Sequence, residues 1–348
     1  MDHPYDIGPI RPPSEANSLL IRVNRNCPWN KCEFCSVYKG SRFEKKSIEE
    51  VKSDIDKAAE YYGLNSRYIE SAFLQDANAL LMKTEDLKEV IDYIKIKFKN
   101  ISRITSYARA QTLAKKKVSE LTELKQAGLS RLHVGMETGY GPLLEYIRKG
   151  TDPEQIIEAG RKVVSSGISL CLYYMPGLGG RKMSSEHAIE SAKAINAIDP
   201  DYIRLRSFRI IPGTPIEEKE KSGYYIPLND FETVKEIRLF ISNLNNITST
   251  IVSDHMLNLL QEVEGVMPAD KTSMIEVIDT FLALSDEEKE MFQVGVRLGR
   301  IRAISEFMNP HMRAILKELV KNIKNEIESR KQDIGIDGYL KEVLKGYL

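Results

Sequence analysis

The sequence predicts an α/β fold in which six strands alternate with helices and a helical region follows. Short apolar runs of strand length alternate with amphipathic helical patterns through the first 211 residues. Such alternation is typical of βαβ units and of a parallel sheet. From about Asp230 onward only the helical period remains. The length of 348 residues, 42% of them apolar, is enough to bury one large core and to carry an appendage.

The predicted elements follow one another as strand, then helix. Ser47 and Glu50 have capping-box spacing at the start of the first helix, and Gly63 is typical of its end. Six such units fit either an open doubly wound sheet or an incomplete barrel, and periodicity does not choose between them. No G-x-G-x-x-G turn follows the first strand, which disfavours dinucleotide binding. The predicted strands are 19–23, 68–74, 101–107, 131–136, 168–175 and 201–211, and the predicted helices between them are 47–63, 84–98, 118–128, 153–167 and 184–198.

Amphipathic helices are predicted throughout the C-terminal part of the chain. Ser285 and Glu288 form another capping box. In the segment 253–265, Asp254 and His255 are candidate acid–base or substrate contacts, with an N-cap role as the simpler alternative. The helices predicted in this region are 231–244, 254–265, 272–284, 286–308 and 312–327.

The charge balance sets an expectation about partners and location. The 50 basic and 50 acidic side chains give a formal net charge of zero, so no global field attracts the protein to nucleic acid or to an anionic membrane. The first 18 residues are polar and proline-rich, unlike a signal peptide. No apolar run approaches the roughly 18–20 residues that cross a bilayer. We therefore expect a cytoplasmic, soluble protein with no membrane partner and no indicated nucleic acid.

Three clustered cysteines indicate a metal site. Cys27, Cys32 and Cys35 lie close together after the first strand, whereas Cys171 stands alone on an apolar strand and is expected to be an inert buried thiol. Thiolates favour iron–sulfur clusters and zinc. A structural zinc site or an electron-transfer cluster normally takes four protein ligands, so three cysteines leave one position open. A zinc-stabilised barrel and a non-catalytic iron–sulfur sensor remain as alternatives.

The loop CPWNKCEFC resembles that of the radical S-adenosylmethionine (SAM) superfamily, in particular the branch with oxygen-independent coproporphyrinogen oxidase and the methylthiotransferases. The resemblance implies that Cys27, Cys32 and Cys35 ligate three irons of a [4Fe–4S] cluster and that SAM chelates the fourth. An aromatic residue precedes the last cysteine in the family, beside the adenine, and Phe34 has that position here. The spacing departs from the family's C-x3-C-x2-C, because four residues separate the first two cysteines.

The resemblance covers roughly residues 17–230 and implies a partial (β/α)6 TIM-type barrel, the radical SAM core, with a C-terminal helical region. The implied domains are an N-terminal extension at 1–16, the barrel at 17–230 and the helical region at 231–348. Barrel enzymes place their sites at the C-terminal ends of strands, and the matched residues follow predicted strand ends.

The resemblance also implies which residues bind SAM. Asp76, with Gln75 and Asn78 beside it, has the place of the acceptor for the SAM amino group, although a turn-and-cap role is the alternative and the family's glycines are missing. Tyr107 and Arg109 match polar residues that face SAM. In the segment from 131 to 150, similar to the family's G-x-E-[TS]-G pattern, Glu137 matches the ribose-binding carboxylate and Lys149 the base that pairs with the SAM carboxylate. A solvated helix-end charge is the alternative for Lys149.

Arg204 and Arg206 share one face of the sixth strand. Two cations inside a barrel need an anionic partner, which could be SAM, an acidic substrate or a barrel carboxylate. Arg206 is the one assigned to cofactor binding.

The activity implied by the resemblance is reductive cleavage of SAM to a 5′-deoxyadenosyl radical that abstracts hydrogen from a substrate. A small molecule or cofactor precursor is the expected substrate, and a flavodoxin- or ferredoxin-type protein is the expected reductant. The alternatives are RNA or protein modification and the non-catalytic redox sensor.

Overall fold

The computed structural model describes residues 3–330 and 334–344. Its strands form an eight-stranded sheet and a two-stranded sheet. Each predicted strand of the six βα units is present, and further strands occur at both ends of the predicted barrel region. The strands are β1 (Leu19–Arg22), β2 (Asn24–Arg25), β3 (Glu44–Lys45), β4 (Ser71–Gln75), β5 (Arg103–Ala108), β6 (Leu129–Glu137), β7 (Ser169–Tyr174), β8 (Tyr202–Leu205), β9 (Thr250–Val252) and β10 (Gly265–Val266).

The helices alternate with the strands and then accumulate at the C-terminal end. The predicted capping boxes at Ser47 and Ser285 are confirmed. No helix in the described residues is both long enough and apolar enough to span a bilayer. The helices are α1 (Ile48–Tyr62), α2 (Thr84–Lys97), α3 (Ala110–Lys115), α4 (Val118–Ala127), α5 (Gly141–Tyr146), α6 (Pro153–Ser165), α7 (Gly180–Ile198), α8 (Pro215–Lys221), α9 (Asp230–Ser242), α10 (Lys271–Leu282), α11 (Asp286–Arg297), α12 (Ile304–Phe307), α13 (Pro310–Ser329) and α14 (Ile336–Leu344).

The strand order decides between the two architectures that periodicity left open. The large sheet has the order β1-β4-β5-β6-β7-β8-β9-β10, and its strands are parallel except for β10. Each successive unit therefore adds its strand to the same edge of the sheet. A doubly wound sheet reverses its strand order at a switch point, whereas a TIM-type barrel does not. The α/β fold is accordingly a partial TIM-type barrel with helices at the C-terminal end.

The sheet does not end where the predicted barrel ends. β9 pairs in parallel with β8, and β10 pairs with β9, although the sequence predicts only helices after residue 230. The helix predicted over 254–265 is wrong, because this segment is a loop that ends in β10. Leu259, Leu260 and Val263 are buried without a helix. Asn258 fixes the loop by bonding to the backbone of Leu205 and Ser207. The boundary at residue 230 itself stays a prediction.

Two further elements are shorter than predicted. The strand predicted over 201–211 ends at Leu205, which pairs with Tyr174, the last residue of the partner strand β7. The helix predicted over 286–308 is broken into α11 and α12 around Gly299, whose φ of 65° is left-handed and not helical. The end of β8 depends on its partner strand, and the break between α11 and α12 depends on a turn of the chain. The local strand or helical period predicts neither.

The two faces of the barrel strands have different chemistry. Outward side chains such as Ile21, Leu74 and Val134 join the main core under the helices, and burial of each such side chain contributes about 1.5–3 kcal/mol. The inward side chains are aromatic or polar, because strand residues alternate between the faces. Ring centroids 5.0–6.5 Å apart link four of them into a cluster: Phe73, Tyr107, His133 and Tyr173.

The N-terminal segment crosses this inner face. Gln75, at the end of β4, accepts a hydrogen bond from the Gly8 amide at 2.7 Å and donates to the Ile10 carbonyl at 3.3 Å. Glu15 lies near the opposite end of the strands, where its carboxylate accepts bonds from Ser18 at 2.7 Å and Arg103 at 2.6 Å. The segment predicted as an extension therefore contacts the barrel near both ends of its strands, and its boundary at residue 16 stays a prediction.

Glu15 makes the stability of the fold dependent on pH. Burial raises the pKa of Glu15, but its contacts with His133, Ser18 and Arg103 outweigh burial and lower the pKa from 4.5 to about 2. The unfolded chain binds the proton more readily, so this stabilisation is complete above pH 4.5 and is lost as the pH falls toward 2. Urea unfolding of the wild type should show a loss of about 2–3 kcal/mol over that range.

In Glu15→Gln we expect this part of the pH dependence to vanish and the stability at pH 7 to be lower than that of the wild type. Glu60→Gln, at an exposed position on α1, is the matched control and should titrate like the wild type. Equal pH profiles for Glu15→Gln and the wild type would contradict the assignment.

Candidate active site

The cysteine loop begins directly after β1 and is enclosed by the two-stranded sheet. β2 and β3 pair in an antiparallel sense on either side of the loop. Cys27, Cys32 and Cys35 are half-buried free thiols, and Cys171 is buried inside the barrel as predicted. The loop lies on a satellite apolar cluster, which packs against Cys32 and Cys35 and consists of Phe34, Leu143, Ile147, Met175, Leu178, Ile216 and Tyr225.

Asp76 anchors the base of this loop. Its carboxylate accepts hydrogen bonds from the Asn26 amide at 3.0 Å and the Tyr38 hydroxyl at 3.1 Å, and it pairs with Arg22. Asp76 is fully buried and has a left-handed φ of 66°. The structure thus gives Asp76 a positioning role for the loop; the SAM-amino role stays a prediction.

The extra residue between the first two cysteines is accommodated by packing around Trp29. The Trp29 indole donates to the Arg148 carbonyl at 2.7 Å, and its ring fills the space where Gly150 lacks a side chain. The Arg109 guanidinium lies over the same ring, 5.5 Å from its centroid. The enlarged loop is therefore held against the turn that follows α5, which explains how the longer spacing is tolerated.

Two cations face the thiols. Burial raises the pKa of the Cys32 thiol, whereas the charges of Lys149 and Arg109 act in the opposite direction. Burial likewise raises the pKa of the Cys35 thiol, against the hydrogen bond from the Val37 backbone. Cations beside thiols favour the thiolate, which is the form that ligates a metal. Burial has the larger effect at both thiols and raises their pKa values, and the cations offset part of this rise.

The three thiols do not converge on a single point. In residues 3–330 and 334–344, no group of three or more His, Cys, Asp and Glu side chains is placed to hold one metal ion. A cubane cluster takes its thiolates on different irons, so its ligands do not share one centre. Ligation of a cluster by Cys27, Cys32 and Cys35 stays a prediction.

Glu137 and Lys149 form an ion pair beside the loop. Lys149 Nζ donates to Glu137 Oε1 at 2.7 Å and lies 5.7 Å from the centroid of the Phe34 ring. Burial opposes the charge of Lys149, but Glu137 raises the pKa of Lys149 above its usual range. Glu137 holds a left-handed φ of 64° at the end of β6, a conformation that costs about 1 kcal/mol or more for a non-glycine residue. Lys149 is therefore not a solvated charge at the end of a helix, the alternative given above.

Gly135 makes this pair possible. A Cβ atom at this position would overlap Glu137 Oε1 and would lie 3.1 Å from Lys149 Nζ. The glycine of the G-x-E pattern therefore leaves room for a carboxylate that turns back over its own strand.

The remaining predicted SAM-binding residues occupy the same end of the barrel but already have partners in the chain. Gln75 holds the N-terminal segment, and Asn78 bonds to Thr112 at 2.7 Å and to the Arg109 amide at 3.4 Å. Arg109 donates to the Lys149 carbonyl at 3.2 Å. Tyr107 belongs to the interior aromatic cluster, where burial raises its pKa to about 12. Their contacts with SAM stay predictions.

Arg204 and Arg206 both follow the inner face of β8. Arg204 is buried and donates to Asp254 at 2.9 Å. The anionic partner of Arg204 in the structure is thus a carboxylate of the chain, one of the three alternatives given above. The side chain of Arg206 is exposed. His255 follows Asp254, and burial together with Arg206, Arg297 and Arg204 lowers the pKa of His255 to about 4. The N-cap alternative for Asp254 does not apply, because no helix begins there.

A buried network behind the site was not predicted from the sequence. His187 on α7 bonds to Thr138, the residue that follows Glu137, at 2.7 Å, and to the Met175 carbonyl at 3.0 Å. Glu236 on α9 accepts from the Gly177 amide at 2.7 Å. No local pattern signals these contacts, because their partners are 12–59 residues apart. Tyr173 was also missed, although strand alternation places it on the inner face of β7.

Part of the chain matches a known protein family. The Radical SAM superfamily model matches residues 21–192. A tRNA uridine(34) acetyltransferase from Methanocaldococcus jannaschii is 27% identical over 119 residues, 34% of this chain and 22% of that protein. An uncharacterized methyltransferase from Pyrococcus horikoshii is 26% identical over 203 residues, 57% and 41% of the two chains. This chain spans half or less of the length of these first relatives.

Solved structures of the superfamily are also similar to this chain. Coproporphyrinogen III oxidase (HemN) from Escherichia coli has a TM-score of 0.49 at 13% identity, over 66% of this chain and 53% of HemN. Methylornithine synthase (PylB) has a TM-score of 0.46 at 18% identity, over 70% and 69% of the two chains.

The expectation that nucleic acid is not indicated lacks support, because one relative carries the name of a tRNA-modifying enzyme. Members of the matched superfamily are enzymes that bind a [4Fe–4S] cluster and SAM and need a reductant. The residues around the cysteine loop fit these cofactors in their donor atoms and charge. Residues 21–192 form a radical SAM domain, and the members of that superfamily are enzymes.

Proposed function

We propose that the enzyme uses a [4Fe–4S] cluster held by Cys27, Cys32 and Cys35 to cleave SAM reductively, and that it acts on a small molecule or cofactor precursor. The observation that carries this proposal is the half-buried cysteine triad with Lys149 and Arg109 beside it, inside a radical SAM domain. When bound, the reduced cluster and SAM supply a 5′-deoxyadenosyl radical, which abstracts a hydrogen atom from the substrate.

The protein's own groups bind and orient the cofactors in this proposal. Lys149 would pair with the SAM carboxylate, and Glu137 would accept from the ribose hydroxyls, since it already points over the loop. Phe34 would pack against the adenine beside the last cysteine. Asp76 or its neighbours would receive the SAM amino group. These groups hold SAM in one orientation, and such positioning is the protein's share of the catalysis.

Tyr107, Arg109 and Arg206 would complete the SAM site from the neighbouring strand ends. All three lie at the C-terminal ends of β5 and β8, where barrel enzymes place their reacting groups. The electron is expected to come from a flavodoxin- or ferredoxin-type protein.

RNA is the second candidate substrate. The relative named tRNA uridine(34) acetyltransferase favours it, and Lys31, Arg42 and Arg148 are exposed cations around the cysteine loop and the turn that holds it. Phosphate contacts make RNA binding steeply dependent on salt. A mobility-shift titration with tRNA at two salt concentrations tests this candidate.

The proposed activity is tested by anaerobic reconstitution with iron and sulfide. We expect acid-labile sulfide together with iron, an electron paramagnetic resonance signal of the reduced protein that SAM alters, and formation of 5′-deoxyadenosine after reduction. Zinc without acid-labile sulfide, or a reduced cluster that is indifferent to SAM, would contradict the proposal.

A further inference from the structure

We propose that Arg204, with His255 beside it, forms an oxyanion-binding site that holds a carboxylate or phosphate group of the substrate. This inference rests on the proposed function, because it names the substrate class of the same barrel. It is carried by a buried guanidinium whose donors are only partly used, at an inner-face position near the C-terminal end of the strands.

Arg204 is the centre of this site. Its residue is 8% exposed, and its Nη2 donates to Asp254 Oδ2 at 2.9 Å. Its Nε and Nη1 are buried and have no hydrogen-bond partner in the part of the chain that the structure describes. A guanidinium has five N–H donors, and a buried donor without a partner destabilises the folded state. An incoming oxyanion would satisfy these donors with charge-assisted hydrogen bonds.

The neighbours of Arg204 leave an excess of positive charge. Arg206 lies two residues further along the same face of the strand, and in the described residues it has no ion pair with a carboxylate. His255 is neutral near pH 7, because burial and the surrounding arginines lower its pKa to about 4. Its buried Nδ1 is also without a partner among the residues described. Of these two guanidinium groups, Arg204 alone is ion-paired in the described residues, with Asp254.

The same group of residues is open on one side. The side chain of Asp254 is 36% exposed and Arg206 is exposed, whereas Nε and Nη1 of Arg204 are buried, so a ligand reaches these two donors only when the side chains around them move. Inward of Arg204 lies the aromatic cluster with Tyr173 and Tyr107, which would contact the apolar part of a substrate. The geometry therefore suits a molecule with an anionic end and an apolar body.

The test is calorimetric titration of the cluster-loaded protein, with SAM present, by inorganic phosphate and separately by succinate. We expect at least one of them to bind, and the tighter one identifies the oxyanion. Arg204→Gln should weaken binding about 10- to 100-fold, the loss expected for charge-assisted hydrogen bonds. Arg131→Gln is the matched control, since Arg131 also lies on the inner face but stacks on Tyr202 at the opposite end of the strands; it should bind like the wild type.

A second variant reverses the expected sign. Asp254→Asn keeps an acceptor for Arg204 but removes the competing negative charge, so it should tighten binding about threefold or more. Failure of the wild type to bind either probe, or equal weakening in Arg204→Gln and Asp254→Asn, would overturn the inference.

Formation of 5′-deoxyadenosine in the same samples separates the two proposals. If SAM is cleaved but Arg204→Gln binds the anion as tightly as the wild type, the oxyanion site is refuted and the proposed function stands. If Arg204→Gln weakens anion binding but no 5′-deoxyadenosine forms, the oxyanion site stands and the proposed function is refuted.

Discussion

Single replacement of Cys27, Cys32 or Cys35 by Ala is expected to abolish 5′-deoxyadenosine formation. Each thiolate would hold a different iron, so the loss of any one removes a corner of the cluster that no other side chain can replace. The fully ligated alternative takes four cysteines, and the loop offers only three. Iron and acid-labile sulfide should fall together in each variant, and the product should fall to the level of the protein-free control.

Cys171→Ala is the matched control for these variants. Cys171 is buried on the inner face of β7, where burial raises its pKa to about 11 and keeps the thiol protonated. We expect this variant to retain the cluster and SAM cleavage. Cleavage that persists in a Cys27, Cys32 or Cys35 variant, or that disappears in Cys171→Ala alone, would refute the assigned ligands.

The Glu137–Lys149 pair is expected to have the second largest effect. Lys149→Gln should weaken SAM binding about 100-fold, because the SAM carboxylate would lose its proposed cation, and should destabilise the fold by about 3–5 kcal/mol, because Glu137 would remain buried without a partner. Gly135→Ala should have a similar effect on SAM binding, since its methyl group would displace the Glu137 carboxylate. Equilibrium dialysis with labelled SAM and urea unfolding measure the two quantities.

Two comparisons separate binding from stability. The double variant Glu137→Gln/Lys149→Gln removes both charges, so it should regain most of the stability without regaining SAM affinity. Arg148→Gln changes the adjacent cation, which is exposed, and should leave both quantities near those of the wild type. Recovery of SAM affinity in the double variant would show that Lys149 acts only through the fold.

Local patterns predicted the elements of the barrel and the position of the cysteine loop. The strand period, the capping boxes and the cysteine spacing are all written within a few neighbouring residues. Strand order cannot be predicted in this way, because it depends on which edge of the sheet each new strand joins. The parallel pairing of β9 with β8 likewise has no signal in the helical period of the surrounding sequence. A run of apolar residues at 254–265 can be buried equally by a helix or by a loop.

The candidate site shows the same division. Glu137 of the G-x-E pattern and Lys149 are 12 positions apart and form an ion pair, a contact that the sequence did not predict. Asp76, in contrast, contacts partners 38–54 positions away, so its anchoring role is a property of the assembled barrel. The contacts of a side chain such as Arg204, whose partner Asp254 is 50 positions away, cannot be predicted until the strand order is known.

The path of the N-terminal segment across the barrel interior has a consequence for how the chain folds. Gly8 meets Gln75 across 67 positions of sequence, and Glu15 meets Arg103 across 88. Closing loops of this size carries an entropic cost that the contacts repay only after β4 and β5 are paired. The segment 8–15 therefore docks after the strands that it contacts have paired, and until then the polar lining of the half-formed barrel stays hydrated.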